Sequence, residues 1–298
     1  MLKRIVIDAV RINYPFNFGF LGYLISQLID TAEHHGVKTK KVVQKMTYGL
    51  TTTLKINKQE LQVSVLKCGK SRWVSYRFKG VIDVDVFEAA TVLLGDWSFR
   101  NAILTGHVKR LELAVDFSGL HTSQFVCHFK GMRKSNVISN EDSTGVSYYC
   151  GSRKGRSQMV VYDKAQEIRD KGGLPFCQHL LRTELRIQTR KKPLLEVIQE
   201  IWAADPFENF YIVDKEKALS LKTNIQDWPI FLSTCSLIGT ANALREFPQH
   251  KKRFLEMLKT LSLPKLTPSI LDFKNMLCGL FNGIGGQIYQ EHASQEVS

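Results

Sequence analysis

The sequence predicts an α+β fold, in which an antiparallel sheet with packed helices is followed by an all-helical C-terminal region. The first observation is alternation in VKRLELAVDF, QMVVYD and LLRTELRIQTR, where side chains change face at each residue, as in a strand. The second is helical periodicity in FLGYLISQLIDTAEHHG and AQEIRDKGG, each of which ends at glycine. The third is a change at Pro193, after which the pattern is helical. We therefore predict two domains, residues 1–192 and residues 193–298.

The other elements follow in chain order. RIVIDAVRI, TTTLKINKQELQVSVLKCG and RWVSYRFKG are predicted as strands around turns. DVDVFEAATVLLGD and HTSQFVCHFKGM are predicted as helices, and GVSYYC is predicted as a strand joined to QMVVYD by a basic turn. In the second domain, helices are predicted in LLEVIQEIWAAD, WPIFLSTCSLIGTANALREF, KKRFLEMLKTLSL and SILDFKNMLCGLFNG. Packing of these helices on the first domain is one option.

The amino-acid composition limits the kinds of molecule that the protein is expected to bind. The 298 residues carry a formal net charge of +13, which indicates a polyanionic partner, either nucleic acid or an anionic membrane. No apolar run is long enough for a transmembrane helix, and the N-terminus lacks the apolar core of a signal peptide. The six cysteines form no CxxC pair. We therefore expect a cytoplasmic protein with reduced thiols, no membrane partner and no cysteine zinc site.

Two of the predicted strands carry charged residues on one face. In LELAVDF, Glu112 and Asp116 share a face but are separated by roughly 13 Å on a regular strand, so both cannot bind one ion unless the strand bends. LLRTELRIQTR offers a partner carboxylate, because it places Glu184 between Arg182 and Arg186 on its polar face. Such a set suits a metal ion and phosphate oxygens. The structural alternatives are a half-buried strand with a solvated face and an edge strand charged for solubility.

Alternation also separates the two adjacent tyrosines of GVSYYC. Tyr148 shares a face with Val146 and Cys150, whereas Tyr149 shares the opposite face with Ser147. We therefore predict Tyr148 in the core and Tyr149 on a polar face. A phenol beside basic groups and a metal can attack a phosphodiester, although most strand tyrosines pack or hydrogen-bond. The basic turn that follows contains Arg153, Lys154 and Arg156.

Four elements together resemble the replication initiation factor family, which includes rolling-circle initiators of staphylococcal-type plasmids, initiators of CTX-type filamentous phages and related conjugative relaxases. The elements are KRLELAVDF, YYCGSR, YDK and LRTELR, in the family's order. The opening RIVIDAVRINYPF also resembles the family's first strand, so the match covers roughly residues 1–192. One departure is Glu112, where the family often has aspartate. The sequence has no His-hydrophobic-His pair, so the metal site of the two-histidine nicking enzymes is absent.

The resemblance implies an antiparallel-sheet nicking domain that binds a replication origin and cuts one DNA strand at a specific site. Tyr149 falls on the family's nucleophile and would become linked to the 5′ phosphate, leaving a 3′-OH primer. Glu112, Asp116 and Glu184 fall on its acidic positions, where they would hold Mg²⁺ or Mn²⁺. Lys164, in the Tyr-Asp-Lys element, would orient or activate the phenol.

Basic residues are expected to contact DNA that is single-stranded at the nick site. Arg153 and Arg182 would help to hold the phosphate, and Lys154, Arg156 and Arg186 are further DNA-binding candidates. No phosphate-binding glycine loop is found, so unwinding would need a host helicase, and a host polymerase would extend the primer in the bacterial cytoplasm. All four elements precede residue 193, so the chemistry is expected in residues 1–192. The region after it would bind DNA or self-associate, for example as a homodimer.

Two other functions stay open. A conjugative or transposon relaxase would use the same chemistry, and the genetic neighbourhood would distinguish it. A non-cutting DNA-binding regulator on the same fold would not become covalently attached to a supercoiled origin plasmid. A small-molecule enzyme is not favoured, because the chain has neither a dinucleotide fingerprint nor a Ser-His-Asp pattern.

Overall fold

A computed structural model gives the fold. The residues it describes are 3–15, 21–34, 36, 38–44, 47–56, 59–79, 105–139, 146–153, 155–189, 192–266, 268, 269, 271 and 273. They have the predicted α+β composition, with antiparallel strands and packed helices. The helix predicted in DVDVFEAATVLLGD and most of SILDFKNMLCGLFNG lie outside these residues. In the described part of the chain, no helix combines the length and apolar character needed to cross a membrane.

The elements are numbered in chain order. The strands are β1 (Lys3–Pro15), β2 (Lys40–Gln44), β3 (Thr47–Ile56), β4 (Gln59–Cys68), β5 (Ser71–Lys79), β6 (His107–Ser118), β7 (Phe125–Phe129), β8 (Ser135–Ser139), β9 (Val146–Cys150), β10 (Ser157–Asp163), β11 (Leu180–Ile187) and β12 (Phe210–Asp214). The helices are α1 (Leu21–His34), α2 (Lys164–Asp170), α3 (Leu194–Ala203), α4 (Lys215–Leu219), α5 (Trp228–Ile238), α6 (Thr240–Glu246) and α7 (Lys251–Leu261).

The chain divides into two compact units. We call the first the motif unit, because it holds most of the sequence elements that carry the family resemblance. The motif unit comprises Met1–Ile5, Leu113–Ile187 and Asp205–Asp272, and the second unit comprises Val6–Glu112, Gln188–Ala204 and Phe273–Ser298. This division does not follow the boundary predicted at residue 193, because each unit takes segments from both sides of it.

The second unit contains an antiparallel sheet in the order β2-β3-β4-β5-β1. Its strands bury alternate apolar residues, such as Leu61, Val63 and Val65 of β4, which gives the sheet an apolar face. α1 contacts β3 and β4, and its buried Leu28 and Ala32 are four residues apart on one helix face. The strands predicted in RIVIDAVRI, TTTLKINKQELQVSVLKCG and RWVSYRFKG and the helix predicted in FLGYLISQLIDTAEHHG are therefore confirmed.

The motif unit contains the strands β6-β11-β10-β9-β8 in that order, with β6 entering the unit at Leu113. A separate two-stranded antiparallel sheet pairs β7 with β12. The apolar core joins Val126 of β7 to Trp228, Phe231 and Phe254 of α5 and α7. The Phe231 and Phe254 rings stack with centroids 4.3 Å apart. The core of this unit therefore uses residues from both predicted domains.

The prediction of a helix in HTSQFVCHFKGM was wrong. The structure has a 3₁₀ turn at Thr122–Gln124, followed by strand β7. Every residue of β7 is buried, and β12 supplies its backbone partners from Phe210 to Asp214. A strand that is buried on both faces lacks the period-two alternation that identifies half-buried strands. β12 is also the one described strand in the region predicted to be all-helical.

A glycine divides the single helix predicted in WPIFLSTCSLIGTANALREF into α5 and α6. Gly239 has a φ of +82°, and a Cβ atom there would lie 2.5 Å from the Ser135 hydroxyl oxygen. Ser135 accepts a hydrogen bond from the Ala241 backbone N–H at 2.9 Å. Glycine therefore permits both the left-handed backbone and the close approach that attaches α6 to the start of β8.

We predict that a fragment comprising residues 1–192 does not fold cooperatively. Its β7 would lose β12, and Val126 would lose Trp228, Phe231 and Phe254. The loss of these partners exposes the buried residues of β7 and removes apolar burial that stabilises the unit. Circular dichroism during urea unfolding measures this, with the full chain as the control. A sigmoidal transition of the fragment, with a slope appropriate to its size, would show that the predicted boundary at residue 193 is a domain boundary after all.

Candidate active site

Three neighbouring strands of the motif unit place a tyrosine and a glutamate on one face. Tyr149 of β9 is paired with Val160 of β10, and Val160 is paired with Glu184 of β11. Residues directly opposite each other on adjacent strands point to the same face. The spacing of strands puts the backbones of Tyr149 and Glu184 roughly 10 Å apart. We call these three residues the Tyr149–Glu184 row.

The two adjacent tyrosines point in opposite directions, as predicted. The Tyr148 side chain lies in the core, and only 2% of the residue is exposed. Its hydroxyl donates to the Phe125 carbonyl oxygen at 2.9 Å. Burial raises the pKa of the Tyr148 phenol well above its ordinary value, and the neighbouring Cys127 adds to the shift. Tyr149 is partly buried and lines a cleft. Only Tyr149 of this pair therefore presents its phenol to a ligand.

The cleft has a volume of about 230 Å³ and is open to solvent. Two strands and helix α2 supply most of its walls, so it combines phenols with charged and amide groups. The lining residues are Val146, Ser147, Tyr149, Tyr162, Asp163, Gln166, Glu167, Asp170 and Arg186. Two residues of the predicted site, Tyr149 and Arg186, therefore lie at one cleft.

Glu184 is buried with two hydrogen-bonding partners from the polar face. The Tyr162 hydroxyl donates to Glu184 Oε2 at 3.1 Å, and Arg186 Nε donates to Glu184 Oε1 at 2.5 Å. These bonds offset the cost of burying a carboxylate, of which 1% is exposed. The Arg186 side chain is 24% exposed and also lines the cleft. Arg186 therefore links the buried Glu184 to the space in front of Tyr149.

Asp116 and Arg182 form a buried ion pair. Arg182 Nε donates to Asp116 Oδ1 at 2.6 Å, and the terminal nitrogen Nη2 donates to Oδ2 at 2.8 Å. Such a two-point contact holds both side chains in a fixed orientation. Asp116 was predicted as a metal ligand and Arg182 as a phosphate contact, and both roles stay predictions. The geometry gives the pair a structural role, because the Arg182 guanidinium donates to both carboxylate oxygens of Asp116.

Lys164 is the first residue of α2, and it contacts Glu167. Its Nζ lies 2.7 Å from Glu167 Oε2 and 5.9 Å from the centroid of the Tyr162 ring. Lys171 also donates to Glu167. Burial favours the neutral form of Glu167, but the hydrogen bonds from Lys164 and Lys171 outweigh it and lower its pKa to about 2. Lys164 therefore reaches the cleft through Glu167, and its predicted action on Tyr149 stays a prediction.

The basic turn after β9 begins at a glycine that the backbone requires. Gly151 has a φ of +102°, and a Cβ atom there would lie 2.9 Å from the Met132 sulfur and 3.0 Å from the Ser157 carbonyl oxygen. Its N–H donates to the Lys134 carbonyl oxygen at 2.8 Å. The predicted DNA contacts Arg153 and Arg156 are exposed on this turn, and Lys154 lies outside the described residues.

Asp163 of the Tyr-Asp-Lys element has a structural function that the sequence pattern did not reveal. It is the N-cap of α2, where Oδ1 accepts from the backbone N–H groups of Ala165 and Gln166 at 2.9 and 3.3 Å. The same oxygen accepts from the Leu180 N–H at 3.2 Å, which connects the end of β10 to the start of β11. An aspartate directly before a helical run is a recognisable N-cap signal, so this function could have been predicted from the sequence.

Two further sets of ligand-type groups were not predicted as sets. In the second unit, the predicted ligand Glu112 is 6% exposed, contacts Arg110 and has a carboxylate oxygen within 4.8 Å of one of Asp8. In the motif unit, His121, Asp163 and His179 bring one ligand atom each within 4.8 Å of the others. The described residues therefore include groups that could hold a metal ion. No local spacing motif would have joined them, because their members are far apart in sequence.

Comparison with known proteins gives similarity to solved structures. No protein-family model and no curated protein matches the chain. The structure is similar to that of the rolling circle replication initiator protein from Geobacillus stearothermophilus, with a TM-score of 0.44 and 14% sequence identity. The match covers 80% of this chain and 98% of that chain.

We predict that Arg182→Met lowers the free energy of unfolding by about 3–5 kcal/mol, because it leaves the Asp116 carboxylate buried without its partner. Replacing both residues, by Asp116→Leu with Arg182→Met, should recover much of the loss. Urea unfolding measures each value. Lys171→Met is the control, since it removes a partner of Glu167 whose own side chain is 69% exposed, and it should cost less than about 1 kcal/mol. A loss for Arg182→Met no larger than that of the control would contradict the structural role.

A second prediction concerns the pH dependence that Glu167 contributes. Its pKa is lowered from the ordinary 4.5 to about 2 in the folded chain, so the ionised group stabilises the fold above pH 4.5. That contribution is lost as the pH falls from 4.5 through about 2. Glu167→Gln should therefore lower the Tm at pH 7, and the difference from wild type should shrink over that acid range. Glu256→Gln, on the exposed side of α7, is the control. A difference that stays constant with pH would count against the Lys164 and Lys171 contacts.

Proposed function

We propose that the chain is a rolling-circle replication initiator, which binds an origin and nicks one DNA strand through a 5′-phosphotyrosine intermediate. The observation that carries the proposal is the Tyr149–Glu184 row beside the cleft. It brings the tyrosine that matches the family's nucleophile to the same face as a buried carboxylate and Arg186. The net charge of +13 supports a nucleic-acid partner.

In the proposed reaction, Tyr149 Oη forms a bond to the scissile phosphorus while the bond from phosphorus to the 3′ oxygen breaks. The phenol proton passes to water in the open cleft, and the departing 3′ oxygen takes a proton from water to become the 3′ hydroxyl. One phosphodiester bond is exchanged for another, so the tyrosyl ester can later be reversed by a hydroxyl group. An ordinary phenol has a pKa of about 10, so the reaction depends on stabilising charge at the phosphate.

Arg186 and the basic turn are the proposed phosphate contacts. The Arg186 guanidinium is held by Glu184 and still lines the cleft, so it can approach a phosphate oxygen without a large loss of side-chain freedom. Arg153 and Arg156 are exposed on the turn directly after the strand of Tyr149, where they would hold the DNA backbone.

A bound Mg²⁺ or Mn²⁺ ion would neutralise charge on the phosphate oxygens. Glu184 fits a ligand role, because each carboxylate oxygen keeps acceptor capacity beyond its one bond from Tyr162 or Arg186. In the second unit, Glu112 stays a proposed ligand, and the nearby carboxylate of Asp8 makes that residue a further candidate. Asp116 fits less well, since Arg182 occupies both of its oxygens.

Tyr162 is the competing nucleophile, because it lines the same cleft. Its hydroxyl donates to Glu184 at 3.1 Å, which favours a role in positioning that carboxylate. Tyr149 stands at the strand end directly before the basic turn and matches the family's nucleophile. We therefore propose Tyr149 as the nucleophile and Tyr162 as a positioning residue.

The first test of this assignment uses the three tyrosines as matched variants. The substrate is a supercoiled plasmid carrying the DNA on either side of the chain's own gene, and the measured quantity is the rate of conversion to open circles. Tyr149→Phe should retain DNA binding and lose nicking by at least about 1,000-fold, because it removes the attacking oxygen and keeps the ring. Tyr162→Phe should slow nicking less, and Tyr148→Phe should lower stability without slowing nicking. Undiminished nicking by Tyr149→Phe would contradict the assignment.

The second test concerns the metal. Nicking should stop in EDTA and return with Mn²⁺ or Mg²⁺, while DNA binding persists. Glu184→Gln and Glu112→Gln should each raise the Mn²⁺ concentration needed for half-maximal nicking by about tenfold or more, because each removes a charged ligand. Asp8→Asn is measured beside them, with the exposed Glu256→Gln as the control. Nicking that continues at full rate in EDTA would end the metal proposal and leave the tyrosine proposal intact.

A further inference from the structure

Outside the Tyr149–Glu184 row, the motif unit holds a cluster of two histidines and an aspartate. His121 precedes the 3₁₀ turn, Asp163 ends β10, and His179 precedes β11. One ligand atom from each lies within 4.8 Å of those of the other two. We propose that these three residues form a binding site for a transition-metal ion of the zinc type, distinct from the Mg²⁺ or Mn²⁺ ion proposed for nicking.

The Asp163 carboxylate is oriented before any ion binds. Its Oδ1 accepts three backbone N–H groups, as described above, whereas its Oδ2 faces the two imidazoles. The distances from Oδ2 are 3.3 Å to His179 Nδ1 and 3.9 Å to His121 Nε2. Since 2% of the Asp163 side chain is exposed, Oδ2 is shielded from water, and the His179 imidazole is its hydrogen-bonding partner. A metal ion among the three atoms would replace that bond with a stronger electrostatic interaction.

The two distances from Asp163 Oδ2 are close to those around a tetrahedral ion. Zinc bound at about 2.0–2.1 Å to nitrogen and oxygen places neighbouring ligand atoms about 3.3–3.4 Å apart. The His179–Asp163 distance of 3.3 Å already has this value. The His121–Asp163 distance of 3.9 Å needs to close by about half an ångström. The His179 side chain is 37% exposed and that of His121 is 20% exposed, so water can reach the fourth position.

A hydroxyl beside His121 can select the tautomer that binds metal. Binding through Nε2 requires the ring proton on Nδ1, and Ser123 Oγ lies 2.5 Å from Nδ1, where it can accept that proton. The Ser123 backbone N–H lies 3.3 Å from the same nitrogen and can donate a hydrogen bond to it. Without a metal, the tautomer that carries its proton on Nε2 is therefore stabilised as well. Partners of this kind fix the ring and strengthen the ligand. Ser123 is therefore a positioning residue for the site.

The ligand types determine the class of ion. Two imidazoles and one carboxylate suit Zn²⁺, Co²⁺ and similar ions, whereas Mg²⁺ prefers a shell made of oxygen atoms. An ion here would connect the segment after β6, the end of β10 and the start of β11. It would thereby hold the two imidazoles beside Asp163, a residue of the cleft lining. The proposed role is structural, so its test does not depend on nicking.

The test uses the full chain stripped of metal with a chelator. Co²⁺ is titrated while its visible absorption is recorded, and Zn²⁺ affinity is measured by competition with a chromophoric chelator. Wild type should bind one Co²⁺ ion with the intense bands of a tetrahedral site, and Zn²⁺ should displace it. His121→Gln and His179→Gln should each weaken Zn²⁺ binding at least 100-fold. Ser123→Ala should weaken it by about 10–100-fold.

A second aspartate–histidine contact in the motif unit provides a matched control. His250 Nε2 lies 3.2 Å from Asp227 Oδ2, and His250→Gln removes that contact without touching the proposed site. It should bind Zn²⁺ as wild type does. Zn²⁺ should also raise the Tm of wild type and of His250→Gln, but not that of His179→Gln, whose Tm in chelator reports its folding directly. The proposal is overturned if wild-type Co²⁺ shows no tetrahedral bands, or if His121→Gln and His179→Gln bind Zn²⁺ as tightly as wild type.

Discussion

The register of β9, β10 and β11 decides which side chains meet on each face of the sheet in the motif unit. A slip of one residue would exchange the faces, so Tyr148 would point to the cleft and Tyr149 to the core. The pairing of Tyr149 with Val160, and of Val160 with Glu184, is therefore the constraint on which the proposed chemistry depends. The sharp turn at Gly151 sets this register at one end. The Asp163 carboxylate sets it at the other, because it binds α2 and the start of β11 together.

Charge in this unit is distributed between a buried layer and an exposed one. Asp116 with Arg182 and the Glu184 carboxylate are buried, and each has partners that offset the loss of hydration. Arg186 stands between the layers, since it binds Glu184 and also lines the cleft. The exposed layer holds Arg153 and Arg156. A phosphate in the cleft would thus meet Arg186, which Glu184 holds in position before binding, and this lowers the cost of reorganisation during the reaction.

Alternation within single strands was sufficient to predict which face several side chains of the candidate site occupy. It separated Tyr148 from Tyr149 and put Glu184 beside Arg186, because a period of two is a local property of the chain. The Asp116–Arg182 pair could not be predicted this way, since it depends on how β6 and β11 are aligned. The same holds for His121 and His179, which the fold brings together from distant segments.

The boundary at residue 193 shows another limit of local pattern. Helical periodicity identified α3, α5 and α7, but it does not reveal which core a helix joins. Trp228 and Phe254 pack with Val126, so the unit that holds the tyrosines is completed by residues far downstream. β7 was not predicted as a strand for a related reason, because a strand buried on both faces lacks the alternation of apolar and polar residues. The resemblance to the replication initiation factor family identified the motifs in the sequence. The fold then showed which side chains the motif residues contact.

The central claim is that Tyr149 carries the covalent bond to DNA, and peptide mapping of the trapped adduct tests it most directly. The wild-type chain is incubated with single-stranded oligonucleotides that tile the DNA beside its gene, then digested with trypsin and a nuclease. Trypsin cuts at Arg153, Lys154 and Arg156, so Tyr149 and Tyr162 fall on different peptides. Fragmentation in the mass spectrometer then separates Tyr148 from Tyr149. A nucleotide on Tyr149 is the predicted result, and a nucleotide on Tyr162 or any other tyrosine would contradict it.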